Sequence, residues 1–354
     1  MYRYILKPLL FALNIEHAHS LAVLLLRIVG HLPGGHWLLR KSYAVENPAL
    51  EREVYGLRFR NPVGLAAGFD RNADAYRELS SMGFGFVEVG TVTPLPENGR
   101  PKPRLFRLPD DCAFINRCGN VNKGLEHVIT NLRRDHEDVV VGCNIGRNLG
   151  TPPSRAANDL LKCFRNLYQY ADYFTVNIFY NSTSTEFAPK SREEVLALLN
   201  PLFEFRRGQN QYRPILMKIS PDLDDEEVDL LTDIMIETPL DGIVATNSSA
   251  TRQNMTSPRD AITACGMGTV SGRPLTQRSI EIVRRIVERS KGTYPIIGSG
   301  GMMTPQDVRD MLAAGASLVQ VYSGFIYGGP GFAGEVCRGL LNDEIQNSEF
   351  KIQN

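Results

Sequence analysis

The chain has no pair of cysteines at CxxC spacing and no histidine in its second half. Its six cysteines stand at irregular intervals, namely Cys112, Cys118, Cys143, Cys163, Cys265 and Cys337. This spacing excludes a zinc or iron–sulfur framework, and we interpret the cysteines as reduced, mostly buried thiols of an intracellular protein. The histidines all lie between His17 and His136, so neither a His-based catalytic triad nor a His-ligated metal is expected. We predict no metal site.

The chain also lacks an excess of charge of either sign, because 39 lysines and arginines balance 39 aspartates and glutamates. Proteins that capture nucleic acid electrostatically present a basic surface. We therefore predict no nucleic-acid partner.

No apolar run approaches the roughly 20 residues that a membrane-spanning helix needs. Two shorter apolar segments, 4–13 and 19–29, lie near the N-terminus, and no small-residue cleavage site follows either of them. Two interpretations stay open. The segments form a helical hairpin packed on the rest of the protein, or an interfacial helix pair whose apolar face meets lipid or admits a lipid-soluble substrate.

From Asn61 onward, eight apolar runs alternate with segments of helical period. The runs are 62–67, 84–91, 139–144, 173–178, 215–219, 242–247, 294–298 and 318–322. Continuous hydrophobicity is typical of parallel strands buried on both faces. No GxGxxG sequence follows the first run, which argues against an open dinucleotide-binding sheet. We predict an α/β fold, a (β/α)8 TIM barrel with an N-terminal two-helix extension.

The last two runs each stop at glycine, in Pro295-Ile-Ile-Gly-Ser-Gly-Gly301 and in Leu318-Val-Gln-Val-Tyr-Ser-Gly324. Between them, Thr304 followed by Pro305 predicts the start of a helix that continues to about Ala314. Loops after the last two strands of such a barrel commonly bind a phosphate. Two long connections, 94–137 and 181–213, are candidate lids at the active-site mouth, and the second includes a helix from about Ser191.

Polar or small residues recur at the ends of the predicted strands, where catalytic residues of a barrel lie. They are Ala67, Gly68, Thr91, Asn144, Asn177, Lys218, Thr246, Asn247, Gly300, Gly301, Tyr322 and Ser323. Amide side chains offer both donors and acceptors, so they suit a planar heterocycle with alternating polar groups. A buried Lys218 would need to face negative charge or an electron-rich centre. A flavin with its phosphate on the late glycines satisfies both demands.

Along nearly its whole length the chain resembles the class 2, quinone-linked dihydroorotate dehydrogenases. The matching motifs are Leu65-Ala-Ala-Gly-Phe-Asp70, Gly90-Thr-Val-Thr-Pro94, Lys102-Pro-Arg-Leu-Phe-Arg107, Ile115-Asn-Arg117, Ala245-Thr-Asn247, Ser271-Gly-Arg-Pro-Leu275 and Leu318-Val-Gln-Val-Tyr-Ser-Gly-Phe-Ile326. The N-terminal segment with Glu16-His-Ala-His19 is similar to the class 2 extension. The resemblance implies FMN as cofactor, dihydroorotate as substrate and a quinone as electron acceptor. It also implies peripheral docking on the cytoplasmic face of the cell membrane through residues 1–45, with residues 46–354 forming the FMN-binding barrel.

The resemblance also assigns roles to single residues. The flavin site would comprise Ala67, Gly68, Arg71, Thr91, Asn144, Asn177, Lys218, Thr246, Gly272, Gly301, Tyr322 and Ser323. The substrate site would comprise Arg71, Asn116, Ser182, Asn247 and Ser248. His19 and Arg107 match positions that line the quinone tunnel.

The substrate side departs from the family pattern at several positions. Arg71 stands where the family has a lysine, and Asn120-Val121 replaces an expected Phe-Asn. The loop after the fourth strand reads Asn177-Ile-Phe-Tyr-Asn-Ser-Thr183, so Tyr180 takes the place of the serine base. We therefore assign catalysis to Tyr180 and Lys218 in a working dihydroorotate dehydrogenase. The alternatives are an FMN oxidoreductase that has moved to another substrate, and a flavin-binding or flavin-free protein with a structural or regulatory role.

Overall fold

The computed structural model describes residues 2–133, 139–178 and 191–352, with the side chains of these residues up to 342 except that of residue 3. A π-helix (Tyr2–Leu6) runs into α1 (Lys7–Ala12), and α2 (Ile15–His31) begins after Asn14, whose side chain accepts a hydrogen bond from the Glu16 backbone N–H. A further helix, α3 (Gly35–Tyr43), follows the two predicted ones. No helix in the described part of the chain has, on its own, the length and hydropathy of a membrane span. The consecutive helices α2 and α3 reach both only when taken together, and they are bent by 116° at the break between them.

The rest of the chain alternates strands with helices. The strands are β1 (Arg52–Val54), β2 (Leu57–Phe59), β3 (Val63–Leu65), β4 (Phe86–Val92), β5 (Leu105–Leu108), β6 (Ala113–Asn116), β7 (Val140–Ile145), β8 (Tyr173–Asn177), β9 (Ile215–Ile219), β10 (Gly242–Ala245), β11 (Thr269–Gly272), β12 (Ile296–Ser299) and β13 (Leu318–Val321). The remaining helices are α4 (Tyr76–Ser81), α5 (Leu125–Leu132), α6 (Ala156–Leu167), α7 (Arg192–Arg207), α8 (Asp225–Glu237), α9 (Arg259–Ala264), α10 (Thr276–Arg289), α11 (Pro305–Ala313), α12 (Ser323–Gly328) and α13 (Phe332–Ile352).

Eight parallel strands close into a barrel in the order β3, β4, β7, β8, β9, β10, β12, β13, and β13 pairs back with β3. These strands are the eight predicted apolar runs, so the predicted barrel is confirmed. The predicted helix starts are also confirmed, since the side chains of Ser191 and Thr304 cap α7 and α11.

The barrel interior changes from apolar to polar along its axis. Its N-terminal layer is filled by Phe86, Tyr173, Leu216, Val244, Ile297 and Leu318, and the β1–β2 hairpin adds Val54 and Phe59 to this cluster. Side chains on one face of a strand recur every second residue. Two positions further along the same strands lie Glu88, Thr175, Lys218, Thr246, Ser299 and Gln320, all buried. Only the carboxyl end of the barrel therefore offers a polar interior.

The first long connection builds part of that end. Its strands β5 and β6 pair antiparallel with each other, and β6 pairs with β11, which places Asn116 opposite Thr269. The second connection contains α7, while Tyr180 and Ser182 lie outside the described residues.

Candidate active site

One cavity of about 500 Å³ opens at the carboxyl ends of the barrel strands. Fifteen of the predicted site residues line it, namely Ala67, Gly68, Arg71, Thr91, Asn116, Asn144, Asn177, Lys218, Thr246, Asn247, Ser248, Gly272, Gly301, Tyr322 and Ser323. His19 and Arg107 are not among the lining residues. The structure thus brings the predicted flavin and substrate residues together, and their individual roles stay predictions.

The base of the cavity is organised by the buried carboxylate of Glu88. Its Oε1 accepts a hydrogen bond from Asn144 Nδ2 at 2.9 Å, and its Oε2 accepts one from Gln320 Nε2 at 2.6 Å. Thr175 Oγ1 and the Tyr173 hydroxyl also donate to Oε2, at 2.9 and 3.2 Å. A carboxylate with donors on both oxygens satisfies the requirement that buried polar groups be hydrogen-bonded.

Lys218 lines the cavity with a side chain that is almost fully buried. Burial lowers the pKa of the Lys218 ammonium, because it penalises the charged form, whereas the negative charge of Glu88 acts in the opposite direction. The charge of Glu88 therefore opposes the loss of positive charge that burial favours at Lys218.

Amide and hydroxyl groups form the adjoining wall. Asn247 Nδ2 donates to Asn177 Oδ1 at 3.5 Å, and Asn247 Oδ1 accepts from the Ser248 backbone N–H at 2.9 Å. The Ser248 hydroxyl donates to Thr269 Oγ1 at 2.7 Å. On β6, Asn116 Oδ1 accepts from the Cys118 N–H at 2.7 Å. These contacts fix amides from three separate strands or strand ends around one space.

Arg71 supplies a second positive charge to the cavity. Its Nε donates to the Gly68 carbonyl at 3.0 Å, which anchors the guanidinium at the end of β3. Burial raises the pKa of the Tyr322 hydroxyl, and the charge of Arg71 beside it opposes that shift. An arginine is wider and planar compared with a lysine, so it presents its charge through a fork of N–H donors.

Gly272 and Gly301 form part of the cavity rim, where they pack closely against neighbouring backbone. Gly301 has φ +79°, a value that glycine adopts readily, and a Cβ there would lie 2.3 Å from the Thr276 backbone nitrogen. The Thr276 hydroxyl donates to the Gly301 carbonyl at 2.7 Å and holds the loop in place. Gly272 and Ser323, the first residue of α12, line the same part of the cavity. A phosphate could approach the backbone here without meeting a side chain.

The side chain of Gln320 indicates which kind of ligand these residues fit. Its Nε2 is committed to Glu88, and its Oε1 is buried at the cavity without a hydrogen-bond partner among the described residues. An unpaired buried acceptor costs free energy unless a donor meets it. The cavity therefore suits a flat ligand that carries at least one N–H donor, several acceptors and a phosphate.

The predicted quinone-site residues make contacts between the N-terminal helices and the rest of the protein, with His19 on α2 and Arg107 on β5. A ring nitrogen of His19 (Nε2) lies 2.8 Å from the Phe69 carbonyl, one residue beyond the cavity-lining Gly68. Burial lowers the pKa of the His19 imidazole, and the charge of Arg71 adds to that shift. Arg107 instead donates to the carbonyls of Leu10, Phe11 and Leu13 at the end of α1, at 2.8–3.2 Å.

Sequence reasoning missed two residues that line the cavity, Ser299 and Gln320, and two buried residues that support the lining from outside it, Glu88 and Thr175. A signal was present, because Glu88 and Gln320 interrupt apolar runs that were predicted to be buried on both faces. A charged residue in such a run must be paired.

Comparisons with known proteins give matches that span most of the chain. The family model for dihydroorotate dehydrogenase matches residues 49–343. A protein of Christiangramia forsetii named dihydroorotate dehydrogenase (quinone) is 42% identical over 341 residues, covering 96% of this chain and 99% of its own. A protein of the same name from Thermosynechococcus vestitus is 41% identical over 362 residues, covering 99% of both chains. The crystal structure of DHODH from Eimeria tenella in complex with ferulenol superposes with a TM-score of 0.83 at 33% identity, covering 96% of this chain and 93% of that one.

Proposed function

Since the chain belongs to the dihydroorotate dehydrogenase family, we propose that it oxidises (S)-dihydroorotate to orotate in pyrimidine biosynthesis, with a quinone as electron acceptor. The observation that carries this proposal is the single cavity at the carboxyl end of the barrel, which gathers fifteen predicted flavin and substrate residues. The relatives described above share one name, and none of them points to a different substrate.

The cavity fits FMN as the resident cofactor. Lys218, Asn144, Asn177 and the unpaired Gln320 Oε1 would hold the ring, and the rim around Gly301 would hold the phosphate. Ala67, Gly68, Thr91, Thr246, Gly272, Tyr322 and Ser323 complete this set. When bound there, FMN would accept the hydride from C6 of dihydroorotate and pass both electrons to the quinone.

The residues of this chain would bind and orient the substrate. Asn116, Asn247 and Ser248 supply donors and acceptors from neighbouring elements, and Ser182 is assigned to the same site from the sequence. Arg71 would face the anionic substrate with two or more N–H donors, which suits a carboxylate. Lys218 would present its charge where electron density increases during the reaction.

Tyr180 would remove the C5 proton of dihydroorotate. A phenol has an unperturbed pKa of about 10, so a base of this kind needs positive charge nearby to favour the phenolate. Among the described residues that line the cavity, Arg71 and Lys218 are the cationic side chains that could supply it.

The N-terminal helices, residues 1–45, would bring the quinone from the membrane. Large apolar side chains are exposed along them, among them Tyr4, Leu9, Leu24, Leu25, Ile28, Leu32, Trp37 and Leu38. Exposed apolar surface of this extent indicates an interaction site. His19 and Arg107 would line the path between these helices and the FMN-binding barrel of residues 46–354, and the protein would dock peripherally on the cytoplasmic face of the cell membrane.

The test is anaerobic addition of dihydroorotate to the purified flavoprotein while the flavin absorbance is followed. We expect bleaching, and we expect Tyr180→Phe to slow it by ~10²- to 10⁴-fold, the usual effect of losing a general base. Tyr294→Phe is the matched control, because Tyr294 precedes β12 at the opposite end of the barrel and donates only to the Ile236 carbonyl among described contacts. Flavin that is reduced by dithionite but not by dihydroorotate would refute the proposed substrate.

A further inference from the structure

Glu88 is a buried acidic residue for which the proposed reaction has no direct use. Its side chain is fully inaccessible inside the barrel, and it does not line the cavity. An acidic residue in this position needs a reason, because burying a carboxylate is costly unless donors compensate it. Its four donors are all side chains, and two of them, Asn144 and Gln320, line the cavity directly.

The carboxylate determines which way these two amides face. A carboxylate only accepts hydrogen bonds, so each amide must turn its NH2 group towards Glu88 and its oxygen away. Asn144 Oδ1 then accepts from Thr91 Oγ1 at 2.7 Å, and Gln320 Oε1 is left as a buried acceptor at the cavity. Without Glu88, either amide could rotate and present a donor instead.

The same carboxylate bears on the charge of Lys218. Both residues project into the barrel interior, and Glu88 is the group whose charge offsets the effect of burial on the Lys218 pKa. The other titratable groups whose pKa values the charge of Glu88 raises are the buried hydroxyls of Tyr55 and Tyr173 and the buried thiol of Cys143. The pKa values of all three are raised well above their ordinary values, chiefly by burial, so these groups stay neutral and cannot replace a lost negative charge.

We propose that Glu88 is a positioning residue that keeps Lys218 cationic and fixes the amides of Asn144 and Gln320 with their oxygens directed away from it. This inference deepens the proposed function and rests on it, since it assigns the electrostatic environment of the flavin ring. Glu88 would act through its neighbours and would touch neither substrate nor flavin.

Two substitutions of Glu88 separate the effect of its charge from the effect of its length. Glu88→Gln keeps the size of the side chain and removes the charge, whereas Glu88→Asp keeps the charge and shortens the reach to Asn144 and Gln320. The first readout needs no substrate and follows the visible absorption of the oxidised, protein-bound flavin as a function of pH. The second readout follows the rate of flavin reduction by dihydroorotate over the same pH range.

We expect Glu88→Gln to move the alkaline limb of both profiles to lower pH by about 1–3 units, the usual effect of one nearby charge. Glu88→Asp should leave that limb close to its wild-type position and change the flavin absorption band, because the amides lose their fixed partner. The control is Thr175→Val, which removes one donor to Oε2 and leaves the carboxylate in place. Thr175→Val should leave the alkaline limb of both pH profiles at its wild-type pH.

Unchanged pH profiles in Glu88→Gln, or an equal shift in Thr175→Val, would overturn the proposal. If Glu88→Gln does not yield folded protein, Glu88→Asp decides, and a wild-type flavin spectrum in that variant would overturn the proposal. The spectral titration distinguishes this failure from failure of the proposed function. Dihydroorotate that leaves the wild-type flavin oxidised refutes the function, while the substrate-free titration still tests Glu88.

Discussion

Gly301 is a residue of the cavity rim at which the backbone leaves little room for a side chain. Both its φ of +79° and the 2.3 Å approach of a Cβ to the Thr276 nitrogen oppose any side chain. We expect Gly301→Ala to lower the free energy of unfolding by about 2–5 kcal/mol, combining left-handed strain with overpacking against backbone. Because the same movement would displace the loop that we propose binds the flavin phosphate, we also expect the purified variant to lose most of its flavin, measured by absorbance per protein.

Gly56 provides the matched control for this prediction. It has φ +72°, and a Cβ there would meet nothing within 4 Å. Gly56→Ala should therefore lower the free energy of unfolding only through left-handed strain, by about 1–2 kcal/mol. Its flavin content should equal that of the wild type. Equal losses of stability and flavin in the two variants would show that close packing at Gly301 is unimportant.

At the scale of residues, the sequence identified polar side chains near the carboxyl ends of the apolar runs and missed Glu88 and Gln320, although Gln320 is as close to the end of its strand as Lys218 is. Asn144, Asn177 and Lys218 were found because a polar group at a strand end of a barrel faces the active site. Glu88 and Gln320 each stand between two valines, and their roles depend on which partners the closed barrel brings to them. Those partners come from four different strands, so their identity follows only from the three-dimensional structure.

At the scale of elements, Glu16 connects α2 to the first long connection of the barrel. Its Oε1 accepts from Arg104 Nε and Nη2 at 2.9 and 2.7 Å, and Lys102 Nζ lies 3.7 Å from its Oε2. Burial alone would raise the pKa of the Glu16 carboxyl, but the hydrogen bonds and charges of Arg104 and Lys102 outweigh it, and the pKa is lowered. This contact therefore contributes stability above the unfolded-state pKa of about 4.3 and loses it as the pH falls through the lower folded-state value.

We predict that Glu16→Gln removes about 1–2 kcal/mol of stability at pH 7, between the values typical of exposed and buried pairs. The difference from wild type should shrink below about pH 4, because the wild-type carboxyl is then protonated as well. Urea unfolding at several pH values measures both effects. Glu204→Gln, which disrupts an exposed pair with Arg207, should change the stability by less than about 0.5 kcal/mol at every pH. A Glu16→Gln effect that persists undiminished in acid would contradict the assignment.

The elements that sequence reasoning predicted are those with local signals. The barrel strands follow from continuous apolar runs, and α11 follows from Thr304 and Pro305, which begin it. The sheet of β5, β6 and β11 was not predicted, because it joins residues 105–116 to residues 269–272, far apart in the chain. The helix α3 was also missed, since its nine residues contain only a short apolar run, Trp37 to Leu39.

At the scale of the whole molecule, exposed apolar side chains are concentrated at one place. Among the large apolar residues that are exposed in the described part of the chain, twelve lie between Tyr4 and Leu38, and five lie elsewhere. The chain has no net charge, yet residues 1–45 contain five lysines and arginines and one glutamate. A surface that is both apolar and basic is suited to a bilayer with anionic lipids.

We therefore expect the purified protein to bind vesicles containing anionic lipid more tightly than purely zwitterionic ones, and high salt to reduce the difference. Leu24 and Ile28 lie one helical turn apart on α2, and both are about half exposed. Replacing both with glutamate should weaken vesicle binding at least ~10-fold, since burial of each side chain contributes roughly 1.5–3 kcal/mol.

The same double variant separates membrane docking from chemistry. Its flavin should still be bleached by dihydroorotate at the wild-type rate, because neither residue lines the cavity. Reoxidation by a long-chain quinone held in vesicles should slow, whereas reoxidation by a short, water-soluble quinone should not. Ile236→Glu, on the exposed face of α8, is the control and should leave vesicle binding intact. If the α2 variant binds vesicles as wild type does, the apolar surface of the N-terminal helices is not the membrane contact, and the quinone must reach the flavin by another route.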